Sequence, residues 1–205
     1  MFKTKLATEA AFSENQDRAA IIKHSDGLVL AIADGAGGIG GGGEAAELAI
    51  QLVKASAVAN EFMNPFTYYN LLIEADDILF EHPIAGETTA IVVAVNDDLV
   101  CGASVGDSGA FLIQNQSEID LTAKQRRKPL IGSGIATPTA FGPVPLKGTV
   151  LLATDGLIKY AAQPLIRKIV QSSSANEAAK ALIECVRYPS GNLPDDVTVI
   201  ITCHS

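Results

Sequence analysis

The chain has 205 residues, 15 Lys+Arg against 23 Asp+Glu, a formal net charge of -8 and 48% hydrophobic residues. That length and apolar content suit one domain over residues 1–205 with a real buried core, and they exclude wholesale disorder. The longest apolar runs fall short of the roughly 20 residues a bilayer helix needs, and the acidic balance argues against nucleic acid, whose phosphates are held by clustered Lys and Arg.

In chain order, the apolar runs Arg18–Lys23 and Leu28–Ala33 predict two strands, joined by His24-Ser25-Asp26-Gly27. Asp-Gly between apolar runs is a hairpin signal, because tight turns need positive φ angles that these residues tolerate. A glycine-rich stretch from Gly35 to Gly43 follows, then a predicted helix over Glu44–Ala59 with Ala46, Leu48, Ala49, Leu52 and Val53 on its apolar face. Asn64-Pro65 reads as a helix start, cap and first-turn proline, for a helix running to about Phe80. Thr89–Val95 and Leu99–Ser104 predict a second hairpin across Asn96-Asp97-Asp98, and Ala110–Ile113 a further strand. Arg126–Pro145, rich in Gly, Pro, Ser and Thr, reads as a long loop. Thr149–Thr154 is a buried strand, Pro164 begins a short helix, and Ser174-Ala175-Asn176-Glu177 has capping-box spacing for a helix up to about Arg187. Val197–Thr202 closes the chain as a strand. Hairpin-linked strands alternating with helix pairs predict antiparallel sheets covered by helices, not a doubly wound parallel sheet.

Cys101, Cys185 and Cys203 form neither a disulfide framework nor a zinc spacing, and the N-terminus lacks a signal-peptide apolar core. The expectation is a soluble, cytoplasmic protein.

Aspartates recur where strands end. Asp34 and Asp155 each end an apolar strand and precede glycine; Asp107 lies just beyond another strand; Asp195 and Asp196 immediately precede the last. Singly, each reads as a turn residue. Together they are different, because ionised carboxylates at the rim of a core need a counter-charge. No Lys or Arg occurs between Lys54 and Lys124, so Asp107 has no basic neighbour in sequence. Hard divalent cations such as Mg²⁺ and Mn²⁺ suit an all-oxygen set.

The segment Ala31-Ile32-Ala33-Asp34-Gly35-Ala36-Gly37-Gly38, with Glu44-Ala45-Ala46 after it, resembles the signature of the metal-dependent protein phosphatases, the protein phosphatase 2C family. So do Glu14-Asn15-Gln16-Asp17, Gly86-Glu87-Thr88-Thr89-Ala90, Ser104-Val105-Gly106-Asp107-Ser108, Leu151-Leu152-Ala153-Thr154-Asp155-Gly156-Leu157 and Asp195-Asp196-Val197-Thr198-Val199. They fall in family order across nearly the whole chain. The resemblance implies an α+β fold, a four-layer sandwich in which a central pair of antiparallel β-sheets is flanked by helices on both sides. It also implies two Mn²⁺ or Mg²⁺ ions, possibly a third, and a metal-bridging hydroxide attacking phosphoserine or phosphothreonine in line. Asp34 would bridge both ions and Gly35 would offer its carbonyl; Asp155 and Asp195 would bind the second ion. Asp17 would be a nearby ligand, direct or through water, and Asp107 would help hold a looser third ion. Asp196 is the alternative to Asp195. The implied partners are a phosphorylated protein and a cognate kinase.

The sequence departs from that pattern around the substrate. Phe12 stands where the family usually has a phosphate-gripping arginine, and Ala36 where many members have histidine. Gly109 replaces a common arginine, and Lys159 a frequent acidic residue. The segment of about 124–147 corresponds to a shortened version of the family's variable flap. Lys23 or Arg126-Arg127-Lys128 are the candidate substitutes for the missing arginine, although such a run ordinarily reads as a solvated loop. His24, His82 and His204 show no motif spacing. Two rivals remain: a weak or inactive pseudophosphatase that binds a partner, and a dinucleotide-binding protein, since Gly35, Gly37 and Gly40 satisfy G-x-G-x-x-G. Seven glycines in the nine residues Gly35 to Gly43 make that match cheap, and Asp34 and Glu44 would repel a pyrophosphate.

Overall fold

A computed structural model describes residues 1–37, 40–56, 61–115 and 117–204. Two antiparallel five-stranded sheets lie face to face. The first runs β1 (Phe2–Glu9), β10 (Val197–His204), β9 (Thr149–Ala153), β6 (Gly109–Ile113), β7 (Glu118–Asp120). The second runs β2 (Asp17–His24), β3 (Gly27–Asp34), β4 (Ala90–Val95), β5 (Leu99–Val105), β8 (Thr139–Pro145). Helices α1 (Gly42–Ser56) and α2 (Pro65–Glu81) cover the second sheet; α3 (Asp155–Ile158), α4 (Gln163–Ser172) and α5 (Ala175–Glu184) cover the first. This is the expected α+β four-layer sandwich.

The central strands are apolar on both faces because both faces are covered. Along β3, Leu28, Leu30 and Ile32 point between the sheets toward Val150, Leu152 and Ile200, while Val29, Ala31 and Ala33 pack under α1 and α2. The same alternation divides β4 and β9. Such strands read as continuous hydrophobic runs even in antiparallel sheets, since period-2 alternation is visible only where one face meets water.

Helix ends follow the local chemistry. Asn64 caps α2 by accepting a hydrogen bond from the Phe66 N–H at 3.0 Å, with Pro65 in the first turn. Ser174 and Glu177 form a reciprocal capping box on α5. The predicted end of the first helix, at residues 57–60, lies outside the described residues.

Four expectations need correction. The first hairpin turns on Ser25-Asp26, with His24 paired to Gly27 inside the ladder. Gly27 is needed for close approach instead, because a Cβ there would stand 2.0 Å from the Val95 carbonyl oxygen. The predicted loop Arg126–Pro145 contains the edge strand β8, whose Gly142, Pro143 and Pro145 mask a strand pattern. Strands β1 and β7 were not predicted: both are sheet edges with mixed burial and weak apolar patterning. Finally, Thr149–Thr154 stops as a strand at Ala153, and Asp155 opens a one-turn helix, with Thr154 at its cap position. Among the described residues no helix is long and apolar enough to cross a membrane.

Candidate active site

The site is assembled where three strand ends and one strand connection meet. The β2–β3 register places Asp17 directly opposite Asp34. The Asp34 backbone is fixed on both sides, its N–H donating to Thr89 Oγ1 (3.1 Å) and its carbonyl accepting from the Thr89 N–H (2.9 Å) and Thr88 Oγ1 (2.9 Å). Its carboxylate is left facing a cleft of about 570 Å³. Asp155 reaches that cleft from the start of α3, Asp195 from the approach to β10, and Asp107 from the β5–β6 connection. Gly35, Ala36, Gly37, Glu14, Phe12, Arg127 and Lys128 complete much of its lining. Asp17 lies beneath, buried, its carboxylate accepting from Thr154 Oγ1 at 2.9 Å. All six residues expected at the site therefore converge.

The two aspartates next to Val197 do different things. The Asp196 carboxylate accepts the Ala11 N–H at 2.8 Å and the Gln16 N–H at 2.7 Å, which shapes the segment leading into Asp17. Asp195 accepts only the Asp196 N–H, at 3.0 Å, among the hydrogen bonds of the described residues.

Electrostatically the carboxylates divide in two. Burial pushes Asp34 up to about 9, with Asp17, Asp155, Asp107 and Asp195 adding repulsion. Burial likewise pushes Asp17 up to about 7, although hydrogen bonds from Thr198 and Thr154 pull it partly back. Asp195 is raised by burial and then by Asp155. By contrast, Asp155 contacts the Lys159 ammonium one helical turn on, and Asp107 receives Arg127 Nη2 at 2.8 Å and Nε at 2.9 Å on one oxygen. Asp107, which has no basic neighbour in sequence, thus finds one in space. The Gly106 N–H donates to the Arg126 carbonyl (2.9 Å) and Gln125 Nε2 to the Ser108 carbonyl (2.6 Å), so the strand connection and the later loop are laced together. Sequence distance concealed that contact.

A third anchor fixes the same loop. Asp76, buried on the apolar face of α2, accepts the N–H groups of Gly132 (2.7 Å), Gly134 (3.1 Å) and Ala136 (2.8 Å). Sequence reading missed Asp76 and Thr154, and it weighed Arg127 as a phosphate contact without foreseeing its pairing with Asp107. The available signal for Asp76 was an acid at helical spacing between Leu72 and Leu79. Lys23 sits exposed at the far end of β2 and does not line the cleft. The histidines are structural: His24 stacks on Phe62 with ring centroids 4.3 Å apart, His82 Nδ1 accepts the Ala85 N–H, and His204 meets Asp97.

Among the described residues of the glycine-rich stretch, the glycines serve close backbone approach and turning. A Cβ on Gly35 would meet the Gly42 carbonyl at 2.3 Å, and Gly41 and Gly40 adopt φ of 72° and 78°. The strand before it is half of a hairpin, not of a βαβ unit, and the dinucleotide reading falls with that.

The protein phosphatase 2C family model matches residues 9–187. The chain belongs to the protein phosphatase 2C family. This protein phosphatase is 26% identical to the protein phosphatase PTC7 homolog fig of Drosophila willistoni over a gapped alignment of 233 residues that covers 84% of this chain and 72% of that protein. Its fold matches the serine/threonine phosphatase Stp1 of Staphylococcus aureus with a TM-score of 0.83, at 18% identity over 100% of this chain and 96% of the other. A serine/threonine phosphatase of S. agalactiae matches with a TM-score of 0.85, at 18% identity over 100% of both chains. The catalytic domain of PstP, solved in complex with two manganese ions, matches with a TM-score of 0.79, at 18% identity over 98% and 97%.

Among the described residues, no three His, Cys, Asp or Glu side chains are gathered into a ready-made metal cage. The donor set nevertheless fits hard cations. Asp34 and Asp17 are carboxylates that no side-chain cation contacts among the described residues, and burial, with repulsion from neighbouring carboxylates, holds both back from ionising. An open, all-oxygen cleft suits ions that keep part of their water shell.

Proposed function

We propose that this protein phosphatase is a divalent-metal-dependent serine/threonine phosphatase acting on phosphoproteins, using Mn²⁺ or Mg²⁺. The observation that carries the reading is the pair Asp34 and Asp17, opposed across one hairpin and short of counter-charge, beside Asp155 and Asp195. Asp34, the Gly35 carbonyl, Asp155 and Asp195 would hold two ions, with Asp17 beside them and Asp107 at the margin. When bound, such ions acidify a water and withdraw charge from the phosphoryl group. The chain's own side chains then have definable tasks. Asp34 and Asp195 supply the negative charge that holds the cations, and Thr154 steadies Asp17 through its hydroxyl. Arg127 and Lys128 line the cleft, in a segment that takes the role of the flap, and attract the phosphate that Phe12 cannot grip. Ala36 offers no proton, so the leaving alcohol takes its own from solvent in the open cleft.

The manganese complex of PstP supports this choice of ion. The family match and the serine/threonine phosphatases of the same fold support the proposed substrate class, and opposition to a cognate kinase is part of the same proposal. The Asp196 hydrogen bonds favour Asp195 as the ligand.

The test is phosphate release from a phosphothreonine peptide in chelator, with added Mn²⁺, and for Asp34→Asn. Turnover should appear only with metal and fall roughly 100-fold or more in the variant. Wild-type rates in Asp34→Asn, with the same metal dependence, would sink the assignment. Absent turnover together with absent Mn²⁺ binding would favour the partner-binding reading.

A further inference from the structure

The carboxylates of the cleft are unequally compensated, and the residue that caps the end of α3 causes much of the inequality. Lys159 follows the last residue of α3, and the single helical turn from Asp155 brings its ammonium onto Asp155 Oδ2. Asp107 and Asp195 add a weaker electrostatic pull on the same ammonium, behind that of Asp155. Arg127 neutralises Asp107 from the opposite side. What remains short of positive charge is the Asp34 side.

A divalent ion entering the cleft meets Asp155 already engaged. To take that oxygen it must displace a cation tethered by its own backbone, whose effective concentration is fixed by one helical turn rather than by the solution. The ammonium can leave: the Lys159 side chain is 43% exposed and sits on a flexible four-carbon stem. An arginine in a rigid fork would be harder to move, and a neutral residue would offer no competition.

We propose that Lys159 is a built-in competitor for the divalent cation at Asp155, setting how much free metal this phosphatase needs. It is a positioning residue, acting through Asp155. The inference rests on the metal-dependent reading above and adds the regulation of that site. Its consequence is a chain that stays folded with Asp155 paired when metal is scarce, and that loads its metal at a higher concentration than the same cleft would with a neutral residue at 159.

The test is calorimetric titration of the intact protein with Mn²⁺, for wild type, Lys159→Arg, Lys159→Gln and Lys159→Glu. Affinity should be weaker than wild type in Lys159→Arg, roughly tenfold tighter than wild type in Lys159→Gln and tighter again in Lys159→Glu. A purely structural role would not order the variants by charge, and thermal unfolding in chelator checks that each is folded. Equal Mn²⁺ affinity in wild type, Lys159→Gln and Lys159→Glu would overturn the inference. If wild type still binds Mn²⁺ and shows metal-dependent phosphate release in that case, the functional reading stands and only this inference fails. If neither wild type nor any folded variant binds Mn²⁺, both fail together.

Discussion

Thr154 shows how much a single hydroxyl carries at this site. It donates to the buried Asp17 carboxylate at 2.9 Å and accepts the Thr198 N–H at 2.9 Å, joining the β9–α3 junction to β2 and β10. Thr154→Val keeps the shape and removes both bonds, leaving a buried carboxylate less satisfied. It should cost about 1–3 kcal/mol in a denaturant titration, with the midpoint lowered and the slope unchanged; an unaltered midpoint would show that Asp17 is held by other means. In the sequence Thr154 was simply the residue before a candidate ligand. The aspartates were easier to see, since carboxylates at the ends of apolar runs are conspicuous whatever surrounds them. Their individual tasks were not: Asp195 and Asp196 are adjacent and chemically identical, and only the backbone N–H groups of Ala11 and Gln16 set them apart.

At the scale of elements, the cleft's one mobile-looking wall in sequence, the Gly- and Pro-rich segment after Arg126, is tied down by a helix from another part of the chain. Asp76 of α2 receives three backbone N–H groups from residues 132–136. Asp76→Ala would leave three donors without their acceptor, and should destabilise the chain by about 3 kcal/mol. Limited proteolysis should then cut within residues 130–136 in the variant before the wild type. Because Arg127 and Lys128 precede that anchor, KM for a phosphopeptide should rise more than kcat falls. Unchanged proteolysis would mean that the β5–β8 pairing fixes the segment without Asp76. Local chemistry made helix starts legible, as Asn64-Pro65 and the Ser174 box show. It could not reveal β8, because edge strands tolerate the Gly and Pro that otherwise signal loops.

For the molecule as a whole, gathering carboxylates between two sheets has a pH signature. Asp34 and Asp17 are pushed up to about 9 and about 7 from an ordinary 3.8. A carboxyl with a higher pKa folded than unfolded binds its proton more tightly in the folded state, so stability falls as pH rises between those values. In chelator, the unfolding temperature should decline from about pH 5 to about pH 9, and Mn²⁺ should reverse the decline by binding the folded form. A melting temperature that is flat or rising over that range without metal would contradict this charge balance. The sequence by itself determined that antiparallel sheets are covered by helices, and the list of acidic residues, because hydrophobic runs, capping residues and strand-end aspartates are local patterns that need no distant partner; the four-layer arrangement came from the family resemblance. Only the tertiary structure decided which of those acids stay uncompensated. Arg127 lies 20 residues from Asp107, and Asp17 depends on a threonine 137 residues away. Counter-charge and burial are properties of neighbours in space, fixed when the two sheets close on each other.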